Sequence, residues 1–320
     1  MWVQGKALVA LGKRAHVAQQ PIIYGGQAVV EGVMIRGRTA YSVAARHPSG
    51  DIRTKTWPVP PWAASRWRKV PFVRGTLVLG ESMVMGMRAL TYSAQVAAGE
   101  EDEGEPIPAW ALALTLAFSL GMAVVLFFIA PLLLTHSLVD RFVDSSVLSN
   151  TAEGVFRLLI FFLYLLLIGL MPAIRRVFAY HAAEHMTVHA NEHALTLDTE
   201  NVRRFPAAHP RCGTAFLLTV MVVSIIVFAM LGTPDLPLRI ASRVILIPLI
   251  AGLAYEVIRF NAAHEGNAFV RALTVPGLML QKLTTRTPDD EQIEVAICAM
   301  NTAIQTDRDA DAASAVEATA

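Results

Sequence analysis

The feature that most constrains this chain is a set of long runs without charged residues. One run extends from Trp110 to Thr135, a second from Leu158 to Ile174 and a third from Cys212 to Pro234. An α-helix rises about 1.5 Å per residue, so roughly 20 apolar residues are needed to cross the hydrocarbon core of a bilayer. These runs predict three transmembrane helices.

The overall composition agrees with a membrane protein. Of the 320 residues, 54% are hydrophobic and 17% are charged, whereas about a quarter of the residues of a typical soluble domain are charged. Lys and Arg together number 27 and Asp and Glu 26, so the basic excess expected of a nucleic-acid-binding protein is absent. The two cysteines, Cys212 and Cys298, are too few for a disulfide framework. The bilayer is therefore the expected partner, nucleic acid is not, and the sequence identifies no protein partner or substrate.

A fourth span is predicted from the distribution of basic residues, although its own sequence is less regular. The segment from Leu238 to Ile258 contains Arg239, Arg243 and Glu256, and its uncharged core is short. Thirteen Lys and Arg residues precede Trp110, five lie between positions 175 and 211, and five follow from position 259 onward. Because cytoplasmic segments carry the basic excess, these groups share one side only if there are four spans. We therefore expect a multi-pass protein of the cell membrane with both termini cytoplasmic.

The expected fold is mainly α, with a small α+β cytoplasmic domain at residues 1–105 that ends in the acidic run 100–105. The stretch from Gly25 to Gly37 holds four glycines and predicts tight turns around a short strand. Residues 42–46 and 52–57 are predicted strands on either side of a turn. Within this domain, Glu31 and Arg36 are second-rank site candidates, either as a pocket pair or as a pair that stabilises a turn.

A predicted helix at residues 72–97 closes this domain, and its charged residues recur every seven positions. Arg74, Glu81 and Arg88 form one narrow polar stripe on an otherwise apolar cylinder. This pattern predicts either a helix at the membrane or a core helix of the soluble domain.

The remaining chain divides into three further parts. Residues 106–260 are predicted to form the membrane domain, with a histidine-rich cytoplasmic linker at 176–211. Residues 261–305 are a cytoplasmic C-terminal segment, in which apolar residues at helical spacing after Asp290 predict a short amphipathic helix. Residues 306–320 are rich in Ala and Asp, and disorder is expected there.

Histidines and glutamates cluster in the linker. At about 100° per residue, five of them fall within roughly 140° of one another if the second transmembrane helix continues past Arg176; they are His181, Glu184, His185, His189 and Glu192. The string His181-x-x-Glu184-His185 has the pattern of the inverted zinc-protease motif, in which two histidines bind the metal and the glutamate activates water. His189 and Glu192 are second-rank candidates.

A second pair of metal-binding residue types stands at the entrance to the third span, where His209 and Cys212 are three residues apart. A hairpin of the two helices would bring this pair to the level of His181. Three protein ligands with an open position suit catalysis, whereas His181, His185, His209 and Cys212 together close a structural tetrahedron. The sequence leaves both arrangements open, and a third interpretation is a polar helix face with no metal.

Four motifs in the same order resemble the YqhQ-like family of bacterial membrane proteins. They are the glycine-rich stretch 25–37, Tyr180-His181-Ala182-Ala183-Glu184-His185, His209-Pro210-Arg211-Cys212-Gly213-Thr214, and Pro276-Gly277 followed by residues 284–297. The resemblance implies a domain of unknown function (DUF1385), sometimes labelled a predicted metal-dependent enzyme, with no established substrate. Ala182 stands where the family commonly has glycine and Met186 where it commonly has lysine, and neither position is a candidate ligand.

The leading hypothesis is a membrane hydrolase with a divalent metal of the zinc type at the cytoplasmic face. His181 and His185 would be ligands, His209 or Cys212 the third ligand, and Glu184 the catalytic base. The alternative is a non-enzymatic scaffold or assembly factor with a structural metal. A transporter ranks third, because the spans lack the discontinuous helices and mid-bilayer charges expected of a coupled site.

Overall fold

The computed structural model describes residues 24–61, 65–99, 108–264 and 266–317. The predicted acidic boundary at 100–105 and the first 23 residues of the predicted N-terminal domain lie outside this part. The strands are β1 (Gly25–Val29), β2 (Gly32–Arg36), β3 (Ala40–Arg46) and β4 (Ile52–Pro58). The helices are α1 (Val73–Ala97), α2 (Ala109–Val124), α3 (Ala130–Leu138), α4 (Ser146–Ile168), α5 (Pro172–Glu192), α6 (Thr199–Val202), α7 (Gly213–Leu231), α8 (Leu236–Ile245), α9 (Ile247–Ala263), α10 (Ala268–Thr284) and α11 (Asp290–Glu317).

The four strands form one antiparallel sheet in the order β1-β2-β3-β4. Side chains alternate between its two faces, as the pleat requires. On one face Val33 and Ile35 pack against α5 and α11, and on the other Met34 and Val43 pack against Met85 of α1. The sheet is thus covered on both faces, which explains why β2 and β3 are almost fully buried.

Helix α1 joins the sheet to the apolar helices. Its polar stripe faces protein: Arg74 pairs with Glu256 of α9, and Glu81 pairs with Arg36 and Arg68. Gly75 permits a close approach, because a Cβ there would lie 2.7 Å from the Cβ of Tyr255. One end of this helix therefore packs on α9 and the other on the sheet, as the prediction of a core helix requires at the sheet end; its position at a membrane stays a prediction.

Three helical segments are long and apolar enough to cross a membrane. They span Ala113–Leu138, Ser146–Ile168 and Gly213–Leu231, and the bent pair α8–α9, with an angle of 49° between its members, makes a fourth if it is counted as one span. The first segment consists of α2 and α3 joined by a π-helical turn at Val125–Ile129. The described part of the chain is thus mainly helical, with a small antiparallel sheet and three or four candidate spans.

A buried network of charged side chains connects these apolar helices. Glu153 of α4 accepts hydrogen bonds from Arg157 of the same helix and from Arg239 and Arg243 of α8, at 2.6 to 3.1 Å. The Nε of Arg157 also donates to the carbonyl of Phe127 in the π-helical turn. Asp140 pairs with Arg239, so two carboxylates face three guanidinium groups in this network.

The network corrects the predicted second span. That span was expected to begin after Arg157, with the arginine reaching the interface, but α4 begins at Ser146 and Arg157 is 1% exposed. The reason is that Glu153 and Ser224 satisfy its guanidinium inside the bundle. Charged residues therefore do lie among the apolar helices, and their predicted absence no longer counts against a transporter.

The C-terminal helix is longer than its sequence predicted. Helix α11 runs to Glu317, whereas disorder was expected from residue 306. Alanine is the strongest helix former, and Asp307 anchors the far end, accepting hydrogen bonds from the backbone N–H groups of Arg38 and Thr39 and from the Thr39 hydroxyl. Tertiary contact with the β2–β3 turn thus extends the helix.

Candidate metal centre

Helix α5 carries most of the candidate site and is not a continuation of α4. The chain breaks at Gly169–Met171, and Pro172 occupies the first turn of the new helix, where its missing N–H costs nothing. The condition under which the polar face was predicted, a second span that continues past Arg176, is therefore not met. The predicted polar face survives, because His181, Glu184 and His185 all lie within the single helix α5.

Three side chains converge at the start of α7. One potential ligand atom from each of His181, His185 and Cys212 lies within 4.8 Å of the other two. The Nε2 of His181 is 3.2 Å from the Sγ of Cys212, and the two imidazole centroids are 4.3 Å apart. The predicted approach of His181 and Cys212 is thus observed, with α5 in the place of the second span.

Backbone carbonyls fix the orientation of both imidazoles. The Nδ1 of His181 lies 2.9 Å from the carbonyl oxygen of Thr284, and the Nδ1 of His185 lies 2.7 Å from that of Ala207. A carbonyl only accepts, so each Nδ1 acts as the donor, and the tautomer of a neutral imidazole with this bond has its lone pair on Nε2. This second hydrogen bond is the usual partner of a metal-binding histidine.

Cys212 is held at the N-terminus of α7. Its Sγ accepts a hydrogen bond from the backbone N–H of Thr214 and lies 2.9 Å from the Thr214 hydroxyl. The N-terminal end of a helix stabilises negative charge, which suits the thiolate that a metal requires. Both cysteines are free thiols, and Cys212 is buried.

His209 belongs to a second group, with His189 and Glu192. Its Nδ1 accepts from the backbone N–H of Arg211, and its Nε2 faces Glu192 at 3.5 Å. Both nitrogens are thus engaged, and Arg211 also pairs with Glu192. Burial lowers the pKa of His209 to about 3, with further lowering by His189, His185 and Arg211, so this imidazole is neutral.

Glu184 lies beside the group formed by His181, His185 and Cys212, and it is 4% exposed. Burial raises the pKa of its carboxyl to about 7, although His181 and a hydrogen bond from the Gly26 backbone lower it in part. Gly26 permits this contact, since a Cβ there would lie 2.2 Å from the Met34 carbonyl and 3.1 Å from the Cγ of Glu184. A carboxyl with a pKa near neutrality can serve as a general base.

A cavity of about 290 Å³ joins these groups. Its lining includes the three candidate ligands His181, His185 and Cys212, together with Glu184, His209, Arg36 and Gly25–Gln27. The cavity lies between β1, α1, α5 and the start of α7. Water or a polar substrate group therefore has space next to the imidazoles, the thiol and the carboxyl.

The predicted pair of Glu31 and Arg36 does not form. Glu31 binds Arg176 and Tyr180 of α5, and Arg36 binds Glu81 of α1. The hydrogen bond from Arg176 is the main cause that lowers the pKa of Glu31. Glu31 lies in the turn between β1 and β2, whereas Arg36 ends β2, and each binds a different helix; of the two, only Arg36 lines the cavity.

Several elements of the site were not predicted. Gly26 holds Glu184, the carbonyls of Thr284 and Ala207 orient the histidines, and Gln281 binds both the N–H and the carbonyl of His209. Of these elements, only Gly26 had a signal in the sequence, the Gly25-Gly26 pair. Backbone carbonyls are present at every position and so give no signal.

Comparison with known proteins places the chain in a family. The sequence model of a family described as "Protein of unknown function (DUF1385)" matches residues 70–306. The chain belongs to this family. It is also 33% identical over 293 residues to the "Uncharacterized protein YqhQ" of Bacillus subtilis (strain 168), covering 88% of this chain and 92% of that protein. No solved structure matches. The resemblance predicted from the four motifs is thereby confirmed, and the family match includes all candidate ligands, whereas Gly26 precedes it.

Proposed function

We propose that this protein is a multi-pass membrane hydrolase with one divalent metal of the zinc type. His181, His185 and Cys212 would hold the metal. The observation that carries the proposal is the convergence of one ring nitrogen of each histidine and the Cys212 Sγ within 4.8 Å, with both Nδ1 atoms close to backbone carbonyls. Two imidazoles and a thiolate suit zinc, and three protein ligands are typical of a catalytic zinc site.

The second group suits a metal less well. Its carboxylate, Glu192, is paired with Arg211, and the positive guanidinium opposes a cation. His209 is already hydrogen-bonded at both nitrogens. These contacts favour His181, His185 and Cys212 as the metal ligands.

In the proposed reaction, His181, His185 and Cys212 would hold a divalent cation, which would polarise the carbonyl or phosphoryl oxygen of an ester and make water more acidic. Glu184 accepts a proton from the attacking water. The water oxygen bonds to the ester carbon or phosphorus, the bond to the leaving oxygen breaks, and Glu184 returns the proton to that oxygen. Gly26 orients the carboxyl through its backbone hydrogen bond.

A structural metal in a scaffold or assembly factor is the second candidate. The proximity of His209 supports it, since its ring centroid is 5.7 Å from that of His185. Four ligands would then close the site. The cavity beside Glu184 and the engaged nitrogens of His209 favour the enzyme instead.

Metal content tests the site. We expect protein purified in detergent to contain one zinc ion per chain by elemental analysis, and His181→Ala/His185→Ala to contain none, because two of three ligands are lost. Cys212→Ser should lower the content strongly, since a hydroxyl is a far poorer zinc ligand than a thiolate.

Cys298→Ser is the matched control, because Cys298 is a second free thiol that lies in α11. It should retain the full metal content. Equal metal content in wild type, Cys212→Ser and the double histidine variant would contradict the proposal. Loss of zinc in a His209→Ala variant that unfolds like the wild type would instead support the closed structural site.

We also propose that the sheet, the α5–α7 linker and α11 lie on the cytoplasmic side of the cell membrane, with the α3–α4 connection outside. This follows from the distribution of Lys and Arg together with four spans. A cysteine introduced at the exposed Asp144 should react with a membrane-impermeant thiol reagent in intact cells, and one at the exposed Glu200 only after permeabilisation. The reverse pattern would exclude this topology.

A further inference from the structure

A second and larger cavity lies beside the candidate metal centre, between α7, α9 and α10. Its volume is about 520 Å³, which is within the range of ligand-binding pockets. Its lining is mostly apolar and includes Leu218, Val222, Val257, Val270, Leu273 and Leu278. We call this cavity the apolar groove.

The apolar groove adjoins the cavity of the candidate metal centre. Arg211 lines both of them, and the short loop from His209 to Cys212 separates them. Gln281, which also lines the groove, binds the N–H and the carbonyl of His209 and so fixes this loop. A molecule bound in the groove thus has one end near the loop that carries His209 and Cys212.

The polar groups of the groove have a definite chemistry. Arg211 and Arg271 supply guanidinium groups, and Arg271 forms no salt bridge with any residue that the structure describes. The Oδ1 of Asn261 is buried without a hydrogen-bond partner among the same residues. Arg271 supplies one cationic donor, Arg211 supplies a second that it shares with Glu192, and Asn261 supplies the unsatisfied acceptor. Together they match an anionic headgroup that carries a hydroxyl.

The helices around the groove favour a lipid as its occupant. Helix α7 is a candidate span, and α9 belongs to the bent pair that forms the fourth. On α10, Phe269, Leu273 and Met279 are more than half exposed, so this helix presents an apolar face of its own. An acyl chain can therefore enter from the adjoining leaflet without passing through water.

We infer that the apolar groove binds the acyl chain of an anionic phospholipid with a hydroxylated headgroup, such as phosphatidylglycerol, and places its ester region at Arg211 beside the His181/His185/Cys212 site. This inference rests on the proposed hydrolase and names its substrate class. Hydrolysis of a phospholipid ester consumes one water and needs no further reactant.

Photocrosslinking tests the groove. The full chain is reconstituted in phosphatidylcholine vesicles with a minor fraction of phosphatidylglycerol that carries a photoactivatable acyl chain, and the adducts are mapped by mass spectrometry. We expect adducts concentrated at residues 215–222 and 270–278, above the level at other exposed apolar positions such as Phe118 and Leu163.

A pair of neighbouring variants provides the control. Ala262 lines the groove and Ala263, the next residue of α9, does not, and both are exposed. Ala262→Trp should remove most groove adducts, whereas Ala263→Trp should leave them. Arg271→Gln should lower the preference for phosphatidylglycerol over phosphatidylcholine probes about fivefold, since a basic residue near a membrane surface attracts anionic lipid by about that factor.

Equal adducts in the two tryptophan variants, or adducts spread evenly over all apolar helices, would mean bulk lipid only and would overturn the inference. Zinc content measured on the same samples separates the two proposals. Zinc without groove adducts overturns the lipid inference alone, and groove adducts without zinc overturn the hydrolase alone.

Discussion

Replacement of Glu184 by glutamine is expected to lower hydrolysis by about 10²- to 10⁴-fold, the usual contribution of a general base, while zinc content stays at the wild-type level. The amide keeps the size of the carboxyl and can still accept the hydrogen bond from Gly26, but it cannot take a proton from water. The measurements are elemental analysis and release of product from phosphatidylglycerol vesicles and from chromogenic acyl and phosphate esters.

Glu200→Gln is the control for this substitution, because Glu200 is exposed and, among the residues that the structure describes, forms a salt bridge only with Arg204. It should keep both zinc and hydrolysis. If Glu184→Gln lost zinc while His185→Ala retained it, the carboxylate would be a ligand and the assigned roles would be wrong. Hydrolysis at the wild-type rate in Glu184→Gln would exclude Glu184 as the base.

The second large effect is expected on stability, from Glu153→Gln. Glu153 contacts Arg157, Arg239 and Arg243, and all four side chains are at most 3% exposed. Removing one partner of a buried ion pair leaves an uncompensated charge and costs about 3–5 kcal/mol. We therefore expect a large fall in the free energy of unfolding, measured by thermal or denaturant unfolding in detergent.

Asp144→Asn provides the matched control, since Asp144 is an exposed carboxylate near the same end of the bundle. It should unfold like the wild type. Should Glu153→Gln fail to fold, Glu153→Gln/Arg243→Gln is informative, because deleting one arginine as well reduces the excess positive charge and should recover part of the stability. Equal stability of Glu153→Gln and Asp144→Asn would refute the role of the network.

The elements that the sequence predicted are those with a local signal. Uncharged runs indicated the spans, alternation with a central turn indicated β3 and β4, and helical periodicity placed His181 and His185 on one face. The approach of Cys212 to His181 was also expected, because the linker between α5 and α7 starts and ends at one level. These features depend on neighbours in the chain or on a single hairpin.

The remaining features depend on partners far apart in the sequence. Glu153 and Arg243 are 90 residues apart, and no local pattern distinguishes an arginine that a distant carboxylate neutralises from one at an interface. Helices α4 and α5 are separated by a break, whereas the predicted polar face assumed one continuous helix. His209 was a candidate third ligand, but its role depends on contacts with Glu192, Arg211 and Gln281 that sequence spacing does not encode.

The arrangement of the sheet between α1 and α11 has a consequence for biosynthesis. The strands are among the first described residues to leave the ribosome, but α11, which covers one face of the sheet and packs against α5, is the last. Domains form as their sequences emerge, so Val33 and Ile35 reach their final packing only after Ile293 and Met300, far along the chain, have been synthesised. The contact of Gly26 with Glu184 needs the same assembled sheet, and the site is therefore completed late in synthesis.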